Sequence, residues 1–267
     1  MKYQVLFPGG KKRAMTFSYD DGQIYDRQLV EMFNKYNVKA TFHLNSATLG
    51  VKNGEDSFVD KEEVRTLYEG HEVSAHGYNH PYFAQLPQDQ VVYQLYEDKR
   101  ILENLCGYPV RGMSYPYGEF SDELVNTAKT LGLEYSRTVN DTLGVHIPHD
   151  FMRWNPSCHH NKVDKVYDEF MNCPSYRELM LFYIWGHSFE FHRENNWEDM
   201  EEFLKKVANQ DDVWYATNIE IKDYISAYRS LKVTADQAAV YNVAATPLWI
   251  KFEDKLFIAE PGKLLEL

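Results

Sequence analysis

The sequence predicts an α/β fold, namely a distorted (β/α)7-8 barrel with a small C-terminal β appendage. Three observations predict this fold. Short apolar runs rich in β-forming residues alternate with helical patterns, and no flexible linker interrupts the alternation. After about residue 230 the pattern changes to alternating apolar positions with Pro and Gly. We therefore expect the barrel to occupy residues 1–230 and the appendage to occupy residues 231–267, packed on the barrel.

Seven segments have the composition of buried strands. They are residues 14–19, 39–44, 71–76, 110–115, 134–139, 179–185 and 213–218, with a weaker candidate near residues 151–154. Helices are predicted between them at residues 87–105, 121–131 and 197–208. Strands that alternate with helices run parallel, and the carboxyl ends of the strands form the working face of such a barrel. The C-terminal segment has alternating apolar positions with Pro and Gly, which is typical of short antiparallel strands.

Composition excludes several classes of partner. The chain has 267 residues, 44% of them hydrophobic, and a net charge of −12. Phosphate backbones and anionic lipids attract positively charged proteins, so nucleic acid and membrane surfaces are not expected partners. No apolar run is long enough for a signal peptide or a membrane span, and we expect a cytoplasmic location. The sequence makes no prediction about oligomeric state.

Two adjacent carboxylates end the first long strand. Asp20 and Asp21 follow an apolar run and precede Gly22. Two like charges repel, but they are tolerated if one binds a cation and the other accepts a proton from water. An isolated Asp-Asp-Gly is more often a surface turn, so this motif is weak by itself.

Two histidines follow a second predicted strand. His76 and His80 are four residues apart, a spacing that on one helical turn places both rings on the same face, where they can share an ion. Together with Asp21 they would give two imidazoles and a carboxylate, which leaves coordination positions open for water and substrate. The sequence thus indicates a divalent metal site at the strand ends.

Two further motifs lie at strand ends. In the segment Tyr115–Gly118, Pro116 and Gly118 predict a tight turn in which Tyr117 offers its backbone N–H to an oxyanion and its ring walls the site. His187 follows an unusually apolar strand, where a buried structural histidine is the simpler interpretation. Its position at the carboxyl face favours a catalytic role.

In order along the chain, the motifs TFSYDDG, HGYNH, YPYG and WGHS resemble those of the polysaccharide deacetylase family, also called carbohydrate esterase family 4 or the NodB-homology domain. The resemblance implies a distorted barrel of seven or eight βα units. It implies Asp20 as the general base, Asp21, His76 and His80 as metal ligands, Tyr117 as groove wall and oxyanion donor, and His187 as the general acid.

The chain departs from the family pattern in the third motif. An arginine usually precedes the motif's tyrosine by three residues, but Ser114 occupies that position and the nearest arginine is Arg111. We therefore hypothesise that Arg153 or Trp154 helps to position Asp20, His187 or the substrate. Arg111 and Trp185 are further candidates for a supporting or substrate-binding role.

The resemblance implies a metal-dependent hydrolase that removes an N-acetyl group from a small saccharide. One divalent ion is expected as cofactor, zinc first, with cobalt, nickel, manganese or iron as alternatives. The expected partner is a small molecule or an oligosaccharide. Two alternatives remain open: hydrolysis of another small C–N substrate, such as a cyclic ureide, and a catalytically silent carbohydrate-binding protein.

Overall fold

A computed structural model describes residues 3–172 and 179–267. Its first nine strands are β1 (Tyr3–Leu6), β2 (Arg13–Asp21), β3 (Ala40–Leu44), β4 (Glu72–Ala75), β5 (Gly112–Ser114), β6 (Tyr135–Arg137), β7 (Cys158–His159), β8 (Met180–His187) and β9 (Val213–Tyr215). The helices are α1 (Asp26–Lys35), α2 (Val64–Leu67), α3 (Gln88–Cys106), α4 (Asp122–Thr130), α5 (Asp164–Asn172), α6 (Ser188–Glu194), α7 (Trp197–Val207) and α8 (Asn218–Ser230). The C-terminal strands are β10 (Lys232–Val233), β11 (Ala239–Tyr241), β12 (Leu248–Phe252), β13 (Lys255–Ala259) and β14 (Leu264–Glu266).

The central element is a curled parallel sheet. Its strand order is β6-β5-β4-β3-β2-β8-β7, and β9 pairs with β2. Each of the seven predicted strand segments contains one of these strands, and the predicted α/β barrel class is confirmed. Helical connections between parallel strands explain why the strands are apolar on both faces: both faces are covered.

The weaker strand candidate near residues 151–154 is wrong in detail. Phe151–Arg153 form a 3-10 turn, and the strand follows later as β7. The backbone of Trp154 bonds to Ser136 and Thr138 beside β6, whereas the amide of Ser157 donates to the carbonyl of Tyr183 in β8. This segment therefore contacts both ends of the sheet and brings the curled sheet towards closure.

Helix ends follow local chemistry. The hydroxyl of Ser121 accepts a hydrogen bond from the amide of Leu124, which caps the start of α4 as the sequence predicts. α3 ends at Gly107, whose positive φ of 82° closes the last turn. Within α3, Leu95 is fully buried, whereas Val92 is 38% exposed.

Two small antiparallel sheets accompany the barrel. One has the order β1-β12-β13, so the N-terminal strand pairs with the C-terminal segment, and the other has the order β10-β11-β14. Tyr224 of α8 lies 5.7 Å from the ring of Phe7 and accepts a hydrogen bond from the amide of Trp249. Among the described residues no helix has both the length and the apolar character needed to cross a bilayer.

The register of the parallel strands positions the site. Asp20 lies opposite His187 of β8 on one side and opposite His43 of β3 on the other. Because β2, β4, β5 and β8 run parallel, their carboxyl ends meet at one edge of the sheet. The segments that begin at His76 and Tyr115 leave the sheet at this same edge.

Candidate active site

Asp21, His76 and His80 converge at the carboxyl edge of the sheet. Their candidate ligand atoms all lie within 4.8 Å of one another. The Nε2 atom of His76 is 3.6 Å from Asp21 Oδ1, and the Nε2 atom of His80 is 3.8 Å from the same oxygen. Ligand atoms on tetrahedral zinc are about 3.3–3.4 Å apart, given bond lengths of about 2.0–2.1 Å. The donor set and its spacing therefore fit a divalent ion after a small contraction.

The hydrogen bonds of Ser114 fix the tautomer of His76. The Ser114 hydroxyl donates to Asp20 Oδ1 at 3.0 Å, so its oxygen is left to accept from His76 Nδ1 at 2.6 Å. The Ser114 carbonyl is also 3.0 Å from Nδ1. With its proton on Nδ1, His76 presents an unprotonated Nε2 as a ligand. The serine that departs from the family motif thus connects the candidate base to a candidate ligand.

Asp20 is buried against a buried arginine. One carboxylate oxygen accepts a hydrogen bond from Arg137 Nη2, and the Arg137 side chain is fully buried. Burial alone would raise the pKa of Asp20, but the positive charge of Arg137 outweighs burial and holds the pKa far below its usual range. Asp20 is therefore ionised and ready to accept a proton.

Two buried polar side chains, those of Asp98 and Asn45, hold the backbone at the candidate ligand His76. Asp98 of α3 accepts hydrogen bonds from the amides of Ser46 and His76 at 2.8 and 2.9 Å. Asn45 donates to the carbonyls of His76 and Gly77, both at 2.7 Å. Burial raises the pKa of Asp98 to about 6, against the opposing effect of these hydrogen bonds. These contacts set the exit direction of the chain from β4.

Three residues of the site have left-handed backbone conformations. The φ angles are 82° at Asp21, 56° at His80 and 58° at Tyr117. Residues other than glycine seldom adopt such angles, and the conformation costs of the order of 1–3 kcal/mol each. The two histidines do not share a helical turn as the spacing predicted, because the chain turns after His76 and His80 faces the ion site from the end of that turn.

Tyr117 forms an aromatic wall beside the ligands. Its ring is edge-on to His80, with centroids 4.4 Å apart, and lies flat on Tyr82 at 3.7 Å. Both tyrosines are more than 40% exposed. A cleft of about 560 Å3 is lined in part by Phe83, Gly118 and Phe120. Phe83 and Gly118 follow Tyr82 and Tyr117 directly in the sequence, but the two tyrosines and the candidate ligands do not line this cleft.

His187 lies opposite Asp20 and contacts a carboxylate of α6. Its Nδ1 is 3.3 Å from Glu190 Oε1, and its amide donates to Glu190 Oε2 at 3.1 Å. Burial lowers the pKa of His187, but the interaction with Glu190 and the charges of Asp20 and Asp21 outweigh burial, so the pKa is raised. A raised pKa keeps the imidazole protonated, as a proton donor requires.

Four residues proposed as supporting groups lie in different surroundings. Arg111 lies at the start of β5, where it is paired with Glu134 and Asp223. Arg153 is paired with Asp150 and Asp122.

Trp154 packs in the core against Tyr135 and Tyr183. The hydrogen bond to Asp20 comes from Arg137. The hypothesis that Arg153 or Trp154 helps to position Asp20, His187 or the substrate stays a prediction. Trp185 does lie at the site edge: its ring is under Arg137 at 4.5 Å and its centroid is 5.9 Å from that of His187.

Three residues of the site were missed from the sequence. Arg137 is a charged residue inside a predicted buried strand, and Asp98 lies three residues after Leu95 on the apolar face of α3. A charge at a core position needs a partner, and this was the signal that was available. Glu190 is three residues after His187, close enough to contact it at the start of a helix.

Comparison with known proteins confirms the family resemblance. The model of the polysaccharide deacetylase family matches residues 8–136. This range holds the first three motifs, from the two aspartates to the Tyr117 turn.

Individual relatives match part of the chain. A peptidoglycan-N-acetylglucosamine deacetylase from Bacillus cereus is 30% identical over 48% of this chain and 45% of its own length. The peptidoglycan-N-acetylmuramic acid deacetylase PdaC of Bacillus subtilis is 27% identical over 48% of this chain and 26% of its own length. The matches thus span less than half of these relatives.

The fold similarity extends further than the sequence similarity. A crystal structure from Mycobacterium smegmatis, described as a candidate polysaccharide deacetylase, superposes with a TM-score of 0.62 at 18% identity. The superposition covers 85% of this chain and 94% of that chain. The barrel therefore has the polysaccharide deacetylase fold beyond residue 136.

Proposed function

We propose that this chain, which matches the polysaccharide deacetylase family over residues 8–136 and has its fold, is a metal-dependent deacetylase that hydrolyses an N-acetyl group on a saccharide. The observation that carries the proposal is the convergence of Asp21, His76 and His80 within 4.8 Å, beside an ionised Asp20. A fold that only binds carbohydrate has no need of this arrangement.

Asp21, His76 and His80 would hold one divalent ion, with zinc as the first candidate. Such an ion, when bound, polarises a carbonyl oxygen and makes water more acidic. Two imidazoles and one carboxylate also suit cobalt, nickel, manganese or iron. Ser114 keeps His76 in the tautomer that such a site requires.

Asp20 would act as the general base. Arg137 and Ser114 hold its two oxygens from one side, which orients the carboxylate and keeps it ionised. The substrate water loses its proton to Asp20 as it attacks the acetyl carbonyl carbon. The backbone N–H of Tyr117 would donate a hydrogen bond to the oxygen that becomes negative.

His187 would act as the general acid. An amine leaves poorly as an anion, so the nitrogen of the scissile C–N bond must gain a proton as the bond breaks. His187 lies across the strand pair from Asp20 and its pKa is raised, which favours delivery of that proton. Acetate and a free amino sugar are the products.

The aromatic wall supports a saccharide as substrate. The stacked rings of Tyr82 and Tyr117 are exposed beside the candidate ligands. Flat exposed rings pack well against the apolar faces of sugars. We propose a small N-acetylated saccharide in the cytoplasm, with a cell-wall polymer as the competing substrate; cell fractionation and a comparison of short with polymeric substrates separate the two.

The test combines metal analysis with acetate release from N-acetylated monosaccharides and oligosaccharides. We expect Asp20→Asn to keep the ion at this site and lose turnover by about 10²–10⁴-fold or more, and His76→Ala to lose both. Asp254→Asn, at a fully exposed aspartate, serves as the control and retains full activity. An active Asp20→Asn enzyme would refute the assignment of the base.

A further inference from the structure

A second group of two imidazoles and one carboxylate lies beside the candidate acid. It consists of His159, His160 and Glu190, whose ligand atoms are within 4.8 Å of one another. Glu190 Oε2 is 3.0 Å from His159 Nε2 and 3.5 Å from His160 Nε2. We call these three residues the His159 cluster.

Secondary structure fixes the three side chains. His159 ends β7, His160 begins the short 3-10 turn that follows, and Glu190 lies in the first turn of α6. The positions are therefore set by a strand end and a helix start rather than by a long loop, as a built site requires.

The fold makes room for the His160 ring. A Cβ atom on Gly186 would lie 2.1 Å from His160 Nδ1, so only glycine is compatible with this ring position. The ring stacks on Phe191, with centroids 4.2 Å apart, and on Tyr19 at 5.9 Å. Apolar packing on both faces thus holds the imidazole edge towards Glu190.

The spacing of the cluster fits a small cation. His160 is only 7% exposed, and its Nε2 lies 3.5 Å from Glu190 Oε2, at the limit of a hydrogen bond. Buried polar groups nearly always have good partners. The separations of 3.0 and 3.5 Å between Glu190 Oε2 and the two Nε2 atoms bracket the edge of about 3.3–3.4 Å in a tetrahedral zinc site.

We propose that the His159 cluster is a second divalent-cation site, suited to a transition ion such as Zn²⁺ and separate from the site of Asp21, His76 and His80. The donor types are the same in both sites, so the two compete for the same ions. Glu190 also contacts His187, so a cation in the cluster would share the carboxylate that holds the candidate acid. This inference goes beyond the proposed deacetylase activity and does not depend on it.

The test counts bound Zn²⁺ on tag-free protein after removal of metal with a chelator, by equilibrium dialysis and elemental analysis. We expect two ions per chain for the wild type, and one for both His159→Ala and Glu190→Gln. His149→Ala, which changes an exposed histidine outside both groups, is the matched control and retains two ions.

A variant of the first site makes the test independent of the folding of these cluster variants. His76→Ala/His80→Ala removes two ligands of the first site and is expected to retain one ion, with far-ultraviolet circular dichroism confirming the fold. The proposal is overturned if both cluster variants bind as many ions as the wild type, or if the folded double variant binds none. None of these outcomes depends on acetate release. Failure of the deacetylase proposal can therefore be distinguished from failure of the proposal for the His159 cluster.

Discussion

Asp20 and Glu72 are both buried carboxyl groups of the same parallel sheet, yet their pKa values move in opposite directions. Asp20 ends β2 at the carboxyl edge, and its pKa lies far below the usual range despite burial, because Arg137 contacts it. Glu72 begins β4 at the opposite edge, and burial raises its pKa to about 7. Its partners are neutral donors: the hydroxyls of Thr41 and Tyr135 and the amide of Ile219.

The difference shows what keeps a buried carboxyl group ionised. Burial disfavours the charged form at both edges, and neutral hydrogen bonds do not offset it at Glu72. One buried guanidinium reverses the balance at Asp20. The ionised state at the carboxyl edge therefore depends on a charge pair, whereas the hydrogen-bond donors to Glu72 are neutral.

The largest expected effect comes from removing the buried cation. Arg137→Met leaves Asp20 buried without its partner, and we expect the free energy of unfolding to fall by about 3–5 kcal/mol, as when one member of a buried ion pair is removed. Acetate release should also fall, and the pH at which activity rises should increase because burial is no longer opposed. Urea unfolding and a pH–rate profile measure these changes; Arg137→Lys, which keeps a cation, should recover part of both.

The second largest effect is expected at Glu72, at the opposite edge of the sheet, where the pH dependence of stability tests the raised pKa. In the folded protein the pKa of Glu72 is raised from 4.5 to about 7, so between these values the folded state holds a proton that the unfolded chain has released. Stability is therefore greatest below the unfolded pKa and falls as the pH rises through the folded pKa, by up to ~3 kcal/mol. Glu72→Gln should remove this slope in urea unfolding measured from pH 5 to pH 8. Parallel curves for the two proteins would contradict the raised pKa.

A smaller effect is expected at Asp98, which holds the backbone of the candidate ligand His76. Asp98→Asn replaces one acceptor oxygen by an amide group, so one of the two amides of Ser46 and His76 loses its acceptor. Loss of such outer contacts typically weakens metal binding by about 10–100-fold. Zinc titration of the first site measures this change. Glu97→Gln, the neighbour that pairs with Arg100 at the surface, is the control and should bind zinc as the wild type does.

The smallest effect is expected at Arg111. Its guanidinium is paired with Glu134 and Asp223 and about one third exposed, so solvent screens these pairs. We expect Arg111→Met to change the free energy of unfolding by no more than ~1 kcal/mol and to leave acetate release unchanged. A loss as large as that of Arg137→Met would show that exposure does not distinguish the two arginines.

Much of the fold could be predicted because strands of a parallel sheet are continuous apolar runs. The seven strand segments and the ends of α4 and α7 follow from composition, periodicity and caps. The closing segment was misread: Phe151 and Trp154 have the composition of a strand, but they pack as core rings around a 3-10 turn. Composition does not distinguish these two uses of an aromatic residue.

The candidate metal ligands could be predicted because Asp21 ends β2 and His76 and His80 follow β4, at an edge where the topology brings strand ends together. The contact between Arg137 and Asp20 could not, because it joins residues 117 positions apart through the curvature of the sheet. The grouping of His159 and His160 with Glu190 could not be predicted either, because it depends on the register of β7 beside β8, which no local pattern encodes.

The left-handed backbone at Asp21, His80 and Tyr117 costs stability at positions whose side chains the proposed reaction needs. Glycine accepts these angles without penalty, so a substitution to glycine at any of the three would relax the fold while deleting a donor atom or a groove ring. Selection of this chain for heat tolerance alone should therefore enrich glycines at the mouth of the barrel. The most heat-stable variants would have no deacetylase activity.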